Sequence, residues 1–324
     1  MQYRNIQGTD LKVSEISLGC WTLGGPNWNF RGISCGWPAV EEKEAIQAIR
    51  WAIEKGVNHF DTADVYGDGH AERLLAKGLG SKRNDVIIAT KIGYYKGTAE
   101  HPYEGLHVRH QCEQSLKNLK RDYIDIYYFH NCQFGVQNQY LPEALEMMHR
   151  LRDEGKVRVI GLSDWSEEAL CKMIPHIDPQ VIQCWGSALD DHYIREGSAL
   201  HTMMTARKIS YVAFSPLAQG LLLDKYHPSN PPKFESGDNR LNSKRFSKDY
   251  LEKLEPRMKK IKERFGSSPE ALSRMALQYL LYNPLVACVI PGFRNERQVK
   301  CNLAAEDKPL TAQDVEFIQN TLQV

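Results

Sequence analysis

The sequence predicts an α/β protein folded as a (β/α)8 barrel, a TIM barrel, with a long lid loop after the seventh strand and a C-terminal helix. Three observations carry that prediction. Eight short apolar runs recur along the 324 residues, segments of helical period lie between them, and most intervals are roughly 25 to 40 residues, the size of one βα unit.

The runs occupy 16–20, 58–62, 86–90, 124–130, 157–163, 181–185, 211–215 and 287–291. Most are rich in Val, Ile, Tyr or Phe and apolar on both alternations, as parallel strands covered on both faces must be. Between them Ile46, Ile49 and Ile53 repeat at helical spacing, as do Val108, Cys112, Leu116 and Leu119, then Leu141, Leu145, Met148 and Leu151, and later Leu272, Met275 and Tyr279. No Pro-rich or Ser-rich linker divides the series, so residues 1–324 read as one barrel domain. An open doubly wound sheet is the alternative that alternation alone leaves standing. The last interval is far longer and contains the polar stretch 219–246, with Pro228, Pro231, Pro232, Gly237 and Asp238. Such an irregular excursion predicts an active-site lid, the alternative being a plain surface loop. After Leu310, Thr311 is placed to cap a helix carrying Val315 and Ile318.

Composition narrows the functional classes. The 41 Lys plus Arg and 40 Asp plus Glu leave a net charge of +1, so there is no cationic surplus for sequence-independent binding to nucleic acid. No apolar run approaches the roughly 20 residues of a membrane helix, and residues 1–5 do not open a secretory leader. Eight cysteines lie without a C-x-x-C pair or metal-ligand spacing and read as core residues of a reduced, cytoplasmic protein, with no metal site.

In a parallel barrel the loops after the strands build the site. Asp61 closes the second run, Tyr66 follows it, Lys91 ends the third and His130 ends the fourth. Singly, each has a structural explanation: a cap, an exposed amine, a satisfied core imidazole. Together they form a proton-donor assembly, in which a Lys held charged by Asp favours the phenolate of Tyr66 and lowers its pKa. His130 would orient or polarise the carbonyl receiving the proton. Gly67-Asp68-Gly69-His70-Ala71-Glu72 lacks the third glycine of a dinucleotide fingerprint and reads as a tight turn opening a helix.

These residues resemble the aldo-keto reductase superfamily over nearly the whole chain, in the branch that includes potassium-channel β subunits and bacterial reductases. The family pattern D-T-A-x-x-Y-G stands at 61–67, its lysine at Thr90-Lys91 and its histidine at Phe129-His130. Framework matches are 155–163, Phe214-Ser215-Pro216-Leu217 and Val289-Ile290-Pro291-Gly292.

The resemblance implies a barrel that reduces an aldehyde or ketone with NADPH, in preference to NADH, through a tetrad of Asp61, Tyr66, Lys91 and His130. Ser163 and Gln183 would hold the nicotinamide carboxamide, Phe214 would lie against the ring, and Ser215 and Leu217 would contact the pyrophosphate. Trp21, Gly220 and Gly292 would complete the cleft, while Arg294, Gln298 and Asn302 would grip the adenosine phosphate and adenine, assisted by Arg240 of the lid. Asp164 stands where many members carry Asn, exchanging an amide donor for an acceptor.

Pocket candidates are Trp21, Trp28, Phe30, Tyr94, Asn131 and Trp165, with Asp190, Asp191, His192 and Tyr193 after the sixth run. Their mixed aromatic and polar character predicts a polar or sugar-like carbonyl substrate, and Asn131 would make one wall polar. Two other functions remain open at this stage: a cofactor-sensing regulatory subunit, and a Schiff-base aldolase using Lys91.

Overall fold

The structure is a computed structural model and describes residues 1–26, 29, 30, 33, 34, 36–305 and 309–323. Eight parallel strands run β1 Leu18–Gly19, β2 His59–Asp61, β3 Ile87–Ile92, β4 Ile124–Phe129, β5 Val157–Ser163, β6 Val181–Trp185, β7 Ser210–Phe214 and β8 Val286–Ile290. Each pairs with its neighbours in chain order. Parallel bridges from Ile16 to Val289 and from Gly19 to Gly292 join the first strand to the last, which excludes the open sheet. A Cβ on Gly19 would sit 2.8 Å from the Ile290 carbonyl oxygen, so closure at this point needs glycine. All eight predicted runs are strands, with ends shifted by a residue or two; the first is shortest, because Ile16 makes only an isolated bridge.

Helices α1 Glu42–Glu54, α2 His70–Leu79, α3 Gly105–Leu119, α4 Leu141–Asp153, α5 Glu167–Ile177 and α6 Ala199–Arg207 follow β1 to β6 in turn. Two helices, α7 Lys248–Phe265 and α8 Pro269–Leu281, separate β7 from β8; α9 Glu296–Leu303 and α10 Ala312–Leu322 follow. Thr311 and Asp314 form a reciprocal capping box on α10, the start that the sequence signals.

An N-terminal hairpin that the patterning does not reveal pairs Tyr3–Asn5 with Lys12–Ser14. Its strands are too short for a period to register. Ile6, Leu11 and Val13 pack with Ala89, Ile126, Val159, Val181 and Val212 and seal the bottom of the barrel interior. The Arg4 guanidinium fastens the hairpin by donating to Glu15 and to the carbonyls of Leu281, Asn283 and Val286.

The stretch 219–246 contains only short 3-10 turns, Ala218–Leu223 and Lys244–Phe246. It is clasped to the segment after β1: Gly36 and Asp238 form a parallel bridge, Asn239 N–H donates to the Gly36 carbonyl at 2.9 Å, and the Arg240 guanidinium lies 4.4 Å over the Trp37 ring. Seven described cysteines are free; Cys171 is half-buried and the others are buried. Among the described residues, no helix is long and apolar enough to cross a membrane, and no group of three His, Cys, Asp or Glu is placed to hold a metal ion.

Candidate active site

At the C-terminal ends of β2, β3 and β4 the four residues converge. Lys91 Nζ donates to Asp61 Oδ1 at 2.5 Å and to the Thr62 carbonyl at 2.6 Å, and lies 3.5 Å from Tyr66 Oη. Three acceptors therefore surround the three N–H bonds of the ammonium. A lysine so engaged has no free electron pair for an imine, which argues against the aldolase. Burial pushes Asp61 above the ordinary carboxylate value and Lys91 below the ordinary lysine value, and their mutual contact opposes both shifts.

Tyr66 comes from the turn after β2. In that turn Gly67 has φ +62°, and a Cβ there would run into the Gly24 carbonyl, so the motif's glycine is a steric requirement. Burial, then the charge of Asp61, raises the Tyr66 phenol well above the ordinary tyrosine value. This corrects the expectation of a lowered pKa: burial and the Asp61 carboxylate prevail, and the phenol keeps its proton. His130 is half-buried beside it, with ring centroids 5.8 Å apart, and the Tyr94 ring packs 4.5 Å from the imidazole. Burial, reinforced by Lys91, holds His130 well below the ordinary imidazole value, so it is neutral.

A cleft of about 460 Å³ runs from this group between the ends of β5 to β8 and the lid. Trp21, Tyr94, Trp165, Ser163, Gln183 and Phe214 line it near the tetrad. Ser215, Leu217, Gly220, Arg240, Gly292, Arg294, Gln298 and Asn302 line the remainder. Ser215 and Gln219, which line the cleft, take φ of +55° and +56°. Strained left-handed backbone thus gathers on the wall where ligand and main chain would meet.

Several expectations are corrected. Asn131 does not make a polar wall: it is buried, its amide donates to the Gly93 carbonyl at 2.9 Å, and its oxygen accepts from Gln133 N–H. Asp190 to Tyr193 also lie off the cleft, with Asp191 accepting from Tyr279 and Arg195, both at 2.5 Å. Trp28 and the side chain of Phe30 lie outside the described residues. Asp164 is a strut. Its Oδ1 accepts from Trp165 and Ser166 N–H and its Oδ2 from Cys132 N–H, tying the loops after β4 and β5 together. Arg240 lines the cleft, but two of its guanidinium nitrogens donate to Asp238 and a third to Tyr226 Oη.

Sequence reasoning missed Trp37, Lys225, Tyr226 and Arg297, which also line the cleft. Lys225 and Tyr226 sit in the stretch identified as a lid, so their place there was the available signal; Trp37 carries none. Burial and the neighbouring Arg240, Arg294 and Arg297 hold Lys225 below the ordinary lysine value, and burial followed by Arg240 does the same to Arg294. Cations that depress one another make a cradle for a strongly anionic group. A dinucleotide fits this geometry: phosphates at the cationic end, an aromatic wall and polar Ser163 and Gln183 near the tetrad.

Known proteins resemble this chain along nearly its whole length. L-Galactose dehydrogenase of Arabidopsis thaliana is 30% identical over 314 residues, covering 94% of this chain and 88% of that protein. A probable voltage-gated potassium channel subunit beta from the same plant is 29% identical, with 95% and 92% covered. The holo form of aldo-keto reductase AKR11C1 from Bacillus halodurans superimposes with a TM-score of 0.75 at 28% identity, over 99% of this chain and 96% of that one. The model of the aldo/keto reductase family matches residues 15–323, and with the ring of strands and the four converging residues it places this chain in the aldo/keto reductase family of oxidoreductases.

Proposed function

We propose that the protein reduces an aldehyde or ketone to an alcohol with NADPH, Tyr66 giving the proton. The observation that carries this is the convergence of a neutral phenol and a neutral imidazole on one cleft, with a buried ammonium 3.5 Å from the phenol oxygen behind them. A nicotinamide cofactor bound there supplies the hydride. Tyr66 releases its proton to the carbonyl oxygen as negative charge grows on it, and Lys91 stabilises the phenolate left behind. His130 offers an N–H to the same oxygen without competing for the proton. Ser163 and Gln183 hold the carboxamide, Phe214 flanks the ring, and Ser215, Leu217 and Gly220 approach the pyrophosphate. Arg294 with Lys225 takes the 2′-phosphate that distinguishes NADPH from NADH, while Gln298 and Asn302 hold the adenine end.

The substrate is a polar, hydroxylated carbonyl compound of the sugar type. Trp21, Trp37, Tyr94 and Trp165 near the tetrad offer flat apolar faces for the C–H faces of such a molecule, leaving hydroxyls to polar neighbours. Similarity to a dehydrogenase of L-galactose along 94% of the chain supports this class. A panel of hydroxylated, long-chain apolar and aromatic aldehydes, assayed with NADPH and NADH, tests both halves of the proposal. Preference for hydroxylated carbonyls with NADPH is expected; preference for long apolar aldehydes or for NADH overturns the corresponding half.

A further inference from the structure

Gln183 has a second contact besides the one proposed for a carboxamide. It rises from β6, on the far side of the ring from β2, and its Nε2 donates to Asp61 Oδ2 at 2.6 Å. Chemistry fixes which end of the amide faces Asp61: a carboxylate paired with Lys91 is an acceptor only, so the nitrogen must meet it. The two oxygens of Asp61 are thereby divided, Oδ1 for Lys91 and Oδ2 for Gln183. Both Asp61 and Gln183 are 2% exposed. Water competes little for either bond, and the orientation of the Asp61 carboxyl plane depends on Gln183. Gln183 also lines the cleft, so one side chain touches both the space for a ligand and the base of the tetrad.

We propose that Gln183 is a positioning residue for the proton donor: by holding the second oxygen of Asp61 it fixes the carboxylate that presents the Lys91 ammonium to Tyr66, and it links occupancy at the carboxamide end of the cleft to proton transfer. This rests on the reading of Tyr66 as donor. The groups facing Asp61, Lys91 and Tyr66 come from five directions: Cys20 beyond β1, His59 and Asp64 from β2 and the turn after it, Tyr94 beyond β3, Tyr128 and His130 from β4, and Cys288 on β8. Burial keeps Cys20, Cys288 and Tyr128 protonated and both imidazoles neutral. Asp64 is raised well above the ordinary carboxylate value by burial and by Glu72, so it needs its own control.

The test uses Gln183→Met, which keeps length and removes the donor, and Gln183→Asn, which keeps the amide but shortens its reach. Asp61 is followed in the full chain by ¹³C NMR of labelled aspartate carboxyl carbons, assigned through Asp61→Asn, and repeated in an Asp64→Asn background. Both Gln183 variants are expected to titrate Asp61 at higher pH, because the charged form has lost a hydrogen bond. They are also expected to lose roughly 100-fold in kcat with a displaced pH profile, beyond any change in NADPH affinity measured by fluorescence. Weakened NADPH binding with the Asp61 titration and pH profile unmoved overturns the proposal. If the wild-type protein reduces no carbonyl, the functional reading falls, and the Asp61 titration still decides the role of Gln183.

Discussion

Lys91 and Tyr66 stand with Nζ 3.5 Å from Oη, while the same nitrogen is held at 2.5 Å by Asp61. The ammonium is thus bound to the carboxylate and poised beside the phenol. Burial keeps the phenol neutral, and the proposed mechanism has the cation stabilise the phenolate once the proton leaves. Tyr66→Phe should lower kcat by roughly 100- to 10,000-fold, the range for losing a general acid, while NADPH affinity measured by fluorescence titration stays within a few-fold of wild type. Undiminished turnover would remove Tyr66 from the mechanism.

Lys91 is 0% exposed, and its replacement has a cost separate from catalysis. Lys91→Met leaves Asp61 buried without its countercharge and should destabilise the fold by about 3–5 kcal/mol in urea unfolding. Adding Asp61→Asn should recover part of that loss. A double variant less stable than Lys91→Met alone would mean that the pair is not the source of the cost.

Arg294 tests the adenosine end. Arg294→Ala should weaken NADPH by roughly 10-fold or more through loss of a charge-assisted contact and leave NADH nearly unchanged, as read by isothermal titration. Equal losses for the two cofactors would place the 2′-phosphate elsewhere.

His59 supplies a pH-dependent prediction. Its Nδ1 lies 3.6 Å from Cys288 Sγ in the barrel interior, and burial, helped by Lys91, lowers its pKa to about 3. In the unfolded chain the imidazole takes up a proton near its ordinary value of about 6.5, which the folded chain refuses. As pH falls through that value, wild-type stability therefore declines, a loss that continues until about pH 3. His59→Gln lacks this proton uptake. Its stability relative to wild type should improve by up to about 1.4 kcal/mol per pH unit across that window, measured by denaturant unfolding at several pH values. A stability difference that does not vary with pH would show that His59 is charged in the folded state.

The strands and tetrad were legible because both are local signals. A parallel strand buried on two faces must be apolar throughout, and D-T-A-x-x-Y-G concentrates two functional groups and their turn in seven residues. What escaped depends on distance in sequence. Trp37 and Arg240 meet only because the lid crosses back over the segment after β1, and no periodicity encodes a pairing between residues so far apart. Asn131 misled for the opposite reason: its neighbour His130 faces the tetrad, yet at the end of a strand the next side chain turns away, here to the Gly93 carbonyl. The lowering of the Tyr66 pKa was misjudged because the sequence reveals which charges are near but not how thoroughly water is excluded.

The bridges from Ile16 to Val289 and from Gly19 to Gly292 also bear on how the chain survives its own synthesis. Once they form, each barrel strand has hydrogen-bonded neighbours on both sides, and the sheet offers no margin to another molecule. Until the eighth strand has emerged, β1 and whichever strand was made last are both open margins of an apolar parallel sheet, the kind that templates association between unfinished chains. A barrel of this design is exposed to aggregation through most of its translation and sheds that risk in one late step.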